Sequence, residues 1–139
     1  VDVTSVDATP LAPGVCVHNI ADLPRHWNER FDMVVLCRAL WAKDYLQVLK
    51  EAHRLLRKSS HSCLLVVEPL KKWWGRAKHQ PDSNALLGSL RKTGFSIDLQ
   101  HTVDIEPRPW ESEEGSAAFK TGSPRKKGIF QYIVARHST

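Results

Sequence analysis

The sequence predicts an α/β fold built on a mostly parallel sheet, and residues 31–68 carry this prediction. Residues 31–37 and 63–68 are short apolar runs of the kind that a sheet buries on both faces, whereas residues 43–58 place leucines at helical spacing. Two strands joined by such a helix run parallel with a right-handed crossover. Ligands of these sheets bind beyond the carboxyl ends of the strands, so we expect functional residues just after each strand.

Length and composition suit a single folded domain. The chain has 139 residues, of which 42% are apolar, enough for one sizeable core. Its formal net charge of +5 is compatible with an acidic partner such as nucleic acid but does not require one. Cys16, Cys37 and Cys63 form no CxxC pair, so the sequence predicts no metal site or disulfide framework and favours a reducing compartment. No apolar run approaches ~18 residues, and we expect an intracellular, soluble protein.

Two short strands are predicted near the amino end, one ending at Asp7 and one over residues 15–17, with Asn19 just after the second. Asp and Asn side chains at strand ends most often accept hydrogen bonds from their own turn. This turn-forming interpretation and a ligand-binding one both remain open for Asp7 and Asn19.

The central helix is predicted to bury one leucine-rich stripe. Lys50, Glu51 and Arg54 lie largely off this stripe, which is typical of a solvated face. His53 has no second ligand at metal-binding spacing, so we expect it at the surface without a metal.

The carboxyl-terminal half is predicted to contain one helix and two antiparallel strands. The helix begins at Asp82 or Ser83, and Gly94 suits the left-handed position that ends it. Residues 95–105 place apolar side chains at odd positions, as a strand with one buried face does, and residues 129–135 form its partner strand.

Two basic segments favour contact with RNA. Residues 106–128 form a long, flexible basic loop, and the segment after Glu68 interleaves cations with aromatic rings at Lys71, Lys72, Trp73 and Trp74. Cations neutralise phosphates, and aromatic faces stack on unpaired bases. Burial of the tryptophan pair against the sheet explains the same residues equally well.

The order of elements resembles the later two thirds of a class I S-adenosylmethionine-dependent methyltransferase, a fold with a Rossmann-like sheet. More narrowly, the chain resembles the nucleolar ribosomal RNA processing methyltransferases called nucleomethylins. The resemblance rests on the order and spacing of five stretches: Ser5-Val6-Asp7-Ala8, Val17-His18-Asn19-Ile20-Ala21, Leu36-Cys37-Arg38-Ala39-Leu40, Glu51-Ala52-His53-Arg54-Leu55-Leu56 and Leu90-Arg91-Lys92-Thr93-Gly94-Phe95. It implies one methyltransferase domain over residues 1–139, with a carboxyl-terminal antiparallel strand, and S-adenosyl-L-methionine as the cofactor.

The resemblance gives cofactor-binding roles to four positions. Asp7 would accept hydrogen bonds from the ribose hydroxyls, and Asn19 and Ile20 would meet the adenine. Cys37 would line the cofactor, with a small buried hydrophobe as the alternative. Seven residues would border the acceptor: Arg38, Trp41, Glu68, Lys71, Lys72, Trp73 and Trp74. No catalytic acid or base is identified.

Three departures separate the chain from the family pattern. Asn19 stands where the family usually has Asp, and Lys58-Ser59-Ser60-His61 replaces the usual Pro-Gly-Gly. The glycine-rich first strand and loop, which cradle the methionine part of the cofactor, are absent from the 139 residues. That strand lies between the second and fourth strands of the fold, so we expect the natural protein to continue upstream of Val1.

The resemblance implies methylation of ribosomal RNA in the nucleolus or nucleus, at ring nitrogen 1 of an adenine of the large subunit. An alternative of another class is an inactive methyltransferase-like scaffold that binds RNA, a ribosome-assembly protein or a chromatin protein. The interleaved Lys and Trp after Glu68 disfavour a third possibility, a methyltransferase of small molecules. No membrane partner is expected.

Overall fold

A computed structural model describes residues 1–41, 43–69, 83–105 and 128–138. Two α-helices and six strands lie within these ranges, together with a 3₁₀ turn at Arg25–Trp27. In chain order they are β1 (Val6–Asp7), β2 (Cys16–Val17), β3 (Met33–Cys37), α1 (Tyr45–Leu55), β4 (Cys63–Pro69), α2 (Ser83–Thr93), β5 (Phe95–Ile105) and β6 (Gly128–His137). The 106–128 loop of the sequence prediction lies outside the described residues, except for Gly128.

The strands form two separate sheets. β1 and β2 pair in parallel, and the larger sheet has the order β3-β4-β6-β5. β3 and β4, joined through α1, are parallel, which confirms the predicted crossover unit. β6 is antiparallel to β5, also as predicted, and it lies between β5 and β4, so it is antiparallel to both neighbours.

The main core lies between the two helices and one face of the larger sheet. Leucine, valine and alanine side chains of α1 and α2 meet alternate side chains of β3, β4 and β6, among them Leu36, Leu64, Val66, Ile133 and Ala135, all 8% exposed or less. Each large apolar side chain buried in this way contributes about 1.5–3 kcal/mol before the cost of ordering the chain. On the opposite face, Met33, Val35 and Leu99 are more than half exposed.

A β-bulge in β5 changes which residues face the core. Ile97 pairs with Ala135, but Leu99 pairs with Val134, so Asp98 is an extra residue in β5. Leu99 therefore turns to the uncovered face, where 54% of it is exposed. The prediction that all odd positions of this strand share one buried face is wrong for that reason.

A second apolar cluster joins the small sheet to α1. Trp27, Leu23 and Leu55 are buried together, and Val6 and Cys16 pack against them. The cluster holds β1 and β2 beside the end of α1 although the two sheets share no strand pair.

Glu51 and Arg54 fasten the turn before β3 to α1. Glu51 is only 5% exposed, and its carboxylate accepts the Leu23 N–H at 2.9 Å and pairs with Arg54. Arg54 in turn donates to the Leu23 carbonyl at 3.0 Å. The prediction of a solvated face is wrong at these two positions, because the chain after β2 folds back over them.

His53 lies between α1 and the end of the larger sheet. Its Nε2 is 2.9 Å from Nδ1 of His137, and its ring meets the Phe95 ring edge-on with centroids 5.0 Å apart. Gly94 has a φ of +102°, as predicted for the residue after α2, and a Cβ there would lie 2.8 Å from His53 Nε2. The prediction of a surface histidine is wrong, since its partners come from distant parts of the sequence.

We expect acid to destabilise the fold through His53. Burial lowers the pKa of His53, and the His137 and Lys58 charges lower it further. The pKa of His53 in the folded protein therefore lies below the unfolded value of about 6.5. Neutral His53 contributes its full stabilisation of the fold above about pH 6.5, and this contribution is lost as the pH falls from there toward the folded pKa. The urea midpoint should drop between about pH 7.5 and pH 5.5. His53→Gln should lose most of this pH dependence, whereas His61→Gln, at an exposed position, should keep it. An equal change of the urea midpoint with pH in both variants would contradict the role of His53.

Candidate functional site

Asp7 and Asn19 lie at the same end of the small sheet. Asp7 is the last residue of β1, and Asn19 follows β2 by two residues. Asp7 Oδ1 accepts the Thr9 N–H at 2.8 Å, and Asn19 Oδ1 accepts the Ala21 N–H at 3.0 Å. Both side chains thus form turns, one of the two predicted interpretations. Both residues are exposed. The second carboxylate oxygen of Asp7 and the second lone pair of Asn19 Oδ1 can still accept a hydrogen bond from a ligand.

Ile20 connects this end of the small sheet to the main core. It is half-buried and packs against the cluster formed by the helices and the larger sheet. Asn19 is thereby followed by an anchored apolar residue, an arrangement that would suit the edge and face of a purine ring.

Cys37 and Arg38 end β3 at the carboxyl edge of the larger sheet. Cys37 is exposed, so the alternative of a small buried hydrophobe is not what the structure has. Arg38 has a φ of +54°, a left-handed conformation that disfavours residues with a Cβ, and its N–H donates to the Val67 carbonyl at 2.9 Å. Its guanidinium carbon lies 5.2 Å from the centre of the Trp41 ring, within range of a cation–π contact.

Glu68 occupies the same edge from β4 and is 3% exposed. Its Oε1 accepts the N–H groups of Ala39 at 2.7 Å and Leu40 at 2.9 Å, and its Oε2 accepts the indole N–H of Trp41 at 3.1 Å. Burial raises the pKa of this carboxyl, while the three donors and the Arg38 charge act in the opposite direction. Glu68 therefore binds the loop of residues 38–41 with both oxygens.

The structure brings together only some of the predicted site residues. Arg38, Trp41 and Glu68 form one connected group, whereas Asp7 and Asn19 belong to the other sheet. Lys71, Lys72, Trp73 and Trp74 lie outside the described residues. Sequence reasoning placed Glu68 at this edge but missed its three internal hydrogen bonds. A carboxylate at the end of the apolar run of residues 63–67 was the available signal.

Within the described ranges, no group of three or more His, Cys, Asp or Glu side chains is arranged to hold a metal ion. In the same ranges, no helix has the length and apolar character needed to cross a membrane.

Solved structures share this arrangement of strands and helices. A SAM-dependent methyltransferase from Methanosarcina mazei superposes with a TM-score of 0.64 and 18% identity, over 89% of this chain and 66% of its own. A variant of the 16S rRNA (adenine(1408)-N(1))-methyltransferase from Catenulisporales acidiphilia gives 0.58 and 16%, over 92% and 65%. The cyclase SpnF gives 0.67 and 20%, over 90% and 56%. No protein-family model and no curated protein sequence matches the chain.

The chain has the α/β fold of the class I S-adenosylmethionine-dependent methyltransferases. It spans about two thirds or less of the length of the three similar structures. At these identities the likeness establishes the fold, and the reaction has to be argued from the residues.

Proposed function

We propose that this chain is the larger part of an S-adenosylmethionine-dependent methyltransferase that acts on ribosomal RNA, at ring nitrogen 1 of an adenine of the large subunit. The observation that carries the proposal is the position of Asp7, Asn19 and Cys37, each at or just after the carboxyl end of a parallel strand. Such ends are where open α/β sheets bind nucleotides and related cofactors. The likeness to an rRNA adenine methyltransferase agrees with the substrate class.

The separation of the two sheets supports a further strand in the complete protein. Within the described residues β1 pairs only with β2, and β3 forms its ladder only with β4. A strand between β1 and β3 would satisfy both edges and make one continuous sheet. We assign this position to the glycine-rich strand and loop of the class I fold, supplied by sequence upstream of Val1. The exposed Met33 and Val35 on the uncovered face are suitably placed to pack against such added chain.

The residues present suit the nucleoside half of S-adenosyl-L-methionine. Asp7 offers an exposed carboxylate to a pair of ribose hydroxyls, and Asn19 and Ile20 offer an amide and an apolar surface to the adenine. Cys37 offers a small, exposed side chain at the end of β3. The methionine half would rest on the added glycine-rich loop, because a backbone without side chains permits close approach.

When bound, S-adenosyl-L-methionine would supply an activated methyl group to the adenine nitrogen, and Asp7, Asn19 and Ile20 would hold its nucleoside half. The nitrogen carries its own lone pair, so the protein has to orient and desolvate the base rather than deprotonate it. In this proposal Arg38 and Trp41 contact the target base, which must be unpaired or extruded to present its pairing edge. This explains why no catalytic acid or base stands out.

A scaffold that binds RNA or a ribosome-assembly or chromatin protein without methyl transfer is the second candidate. The cyclase SpnF shares the fold, so the fold alone does not fix the reaction. Asn19 lacks the charge of an aspartate, and residues 58–61 lack Pro-Gly-Gly, which also favours a scaffold. Both candidates agree with a nucleolar or nuclear location and with the net charge of +5.

Calorimetric titration with S-adenosylhomocysteine separates the two candidates. We expect binding by a protein extended upstream through a glycine-rich loop, and weak or no binding by residues 1–139, because the cradle for the methionine half is incomplete. An extended protein that fails to bind would overturn the methyltransferase proposal. RNA affinity that falls steeply with salt would then support the scaffold, since phosphate contacts release counterions.

A further inference from the structure

The loop of residues 38–41 is held in an unfavourable backbone conformation by groups of β4. Arg38 is a residue with a Cβ at a φ of +54°, a left-handed conformation that is disfavoured for such residues. The N–H of Arg38 donates to the Val67 carbonyl, and the next two N–H groups of the loop donate to Glu68. Three successive backbone donors thus converge on two adjacent residues of one strand.

The same carboxylate also fixes a side chain. Trp41 donates its indole N–H to Glu68 Oε2 at 3.1 Å, and the guanidinium of Arg38 lies over the Trp41 ring. A buried carboxylate costs several kcal/mol in desolvation, and an apolar side chain would serve the core more cheaply. A carboxylate that accepts three N–H groups is better explained by a requirement for geometry than by stability.

We propose that Glu68 is a positioning residue: its buried carboxylate presets Arg38 and Trp41 as one unit that receives an unpaired base. Glu68 itself contacts no substrate in this proposal, because its side chain is buried and both of its oxygens accept N–H groups of the protein. The role rests on the proposed function and refines it, since it assigns base contact to Arg38 and Trp41 and their orientation to Glu68.

Two variants remove the same hydrogen bond from opposite sides. Glu68→Gln keeps a carbonyl oxygen for the Ala39 and Leu40 N–H groups but turns an amide NH₂ toward the indole donor. Trp41→Phe keeps an aromatic ring but has no indole N–H. If Glu68 acts through Trp41, each variant should weaken binding of a short single-stranded RNA with unpaired adenines by about 5- to 10-fold, and the double variant should add little. Glu29→Gln, at an exposed ion pair with Lys58, is the matched control.

A nuclear magnetic resonance titration decides the positioning role independently of RNA. The indole N–H resonance of Trp41 and the amide resonances of Ala39 and Leu40 should shift together with one midpoint, above the range of an ordinary glutamate. Glu68→Gln should abolish that shared midpoint, whereas Glu29→Gln should keep it. Among the described residues, the charge that acts on the Glu68 carboxyl is that of Arg38.

The RNA-binding measurement and the resonance titration test different parts of the proposal. Wild-type protein that shows the shared titration but binds no RNA would overturn the RNA substrate and with it the base-receiving role of this unit. RNA binding that Glu68→Gln leaves unchanged, or three resonances that titrate apart, would overturn the positioning role and leave the proposed function standing. Loss of RNA affinity only in proportion to a lowered melting temperature would show a merely structural role and would also overturn it.

Discussion

Replacement of Asp7 by alanine is expected to weaken S-adenosylhomocysteine binding by about 100-fold or more in the upstream-extended protein. In the proposed site the carboxylate accepts hydrogen bonds from two ribose hydroxyls, and a hydrogen bond to a charged group contributes roughly 1.5–3 kcal/mol. Two such bonds correspond to at least a hundredfold in affinity. Isothermal titration calorimetry measures this change directly.

The turn that Asp7 forms requires its own control. Asp7 Oδ1 accepts the Thr9 N–H, so the alanine variant also loses a local contact. Asp7→Asn keeps an oxygen for Thr9 but removes the charge, and it should lose most of the affinity with little change in melting temperature. Asp2→Ala, at an exposed position, should bind like the unchanged protein. Full affinity in both Asp7 variants would refute the ribose assignment.

The strand-helix-strand unit and the end of α2 could be predicted from the sequence because they depend on the pattern of nearby residues. The strands at residues 33–37 and 63–69 are nearly continuous apolar runs, and α1 has a leucine stripe at helical spacing. Gly94 ends α2 through its own backbone freedom. In each case the signal lies within a few consecutive residues.

Features that depend on distant contacts could not be predicted in this way. The bulge at Asp98 shifts the alternation of β5, and only the pairing with β6 reveals it. His53 was predicted at the surface because its partner, His137, is 84 residues away in the sequence. Patterning within one helix gives the direction of a side chain but not which segment folds over it.

In the candidate site, too, the positions of residues could be predicted from the sequence, but their contacts could not. The topology rule places Asp7, Asn19, Cys37 and Glu68 at strand ends, and the structure has each of them there. Whether these residues bind cofactor or acceptor stays a prediction. The chemistry of Glu68 followed from three-dimensional contacts alone, because its donors lie 27 to 29 residues away.

Removal of the Arg54 charge is expected to be the most damaging single change among the polar residues discussed above. Arg54→Met keeps the aliphatic length of the side chain but leaves the Glu51 carboxylate buried without its cation. Breaking such a pair costs about 3 kcal/mol, since a charge is stranded in a poorly solvated place. The turn from Leu23 also loses a donor to its carbonyl. Urea denaturation at neutral pH should show the loss as a lower midpoint with an unchanged slope.

The pH dependence and a second substitution identify the stranded charge as the cause. Arg54 holds the pKa of Glu51 below its usual range, so in the unchanged protein this group stabilises above the unfolded pKa and loses its effect as the pH falls. Arg54→Met removes the largest influence that lowers this pKa and leaves the effect of burial, which raises it, so acid should narrow the difference between the two proteins. Glu51→Gln combined with Arg54→Met should recover more than half of the loss, because Gln still accepts the Leu23 N–H without a charge. Lys50→Met on the exposed side of α1 should change little, and an Arg54→Met protein as stable as the parent would show that the pair serves no structural purpose.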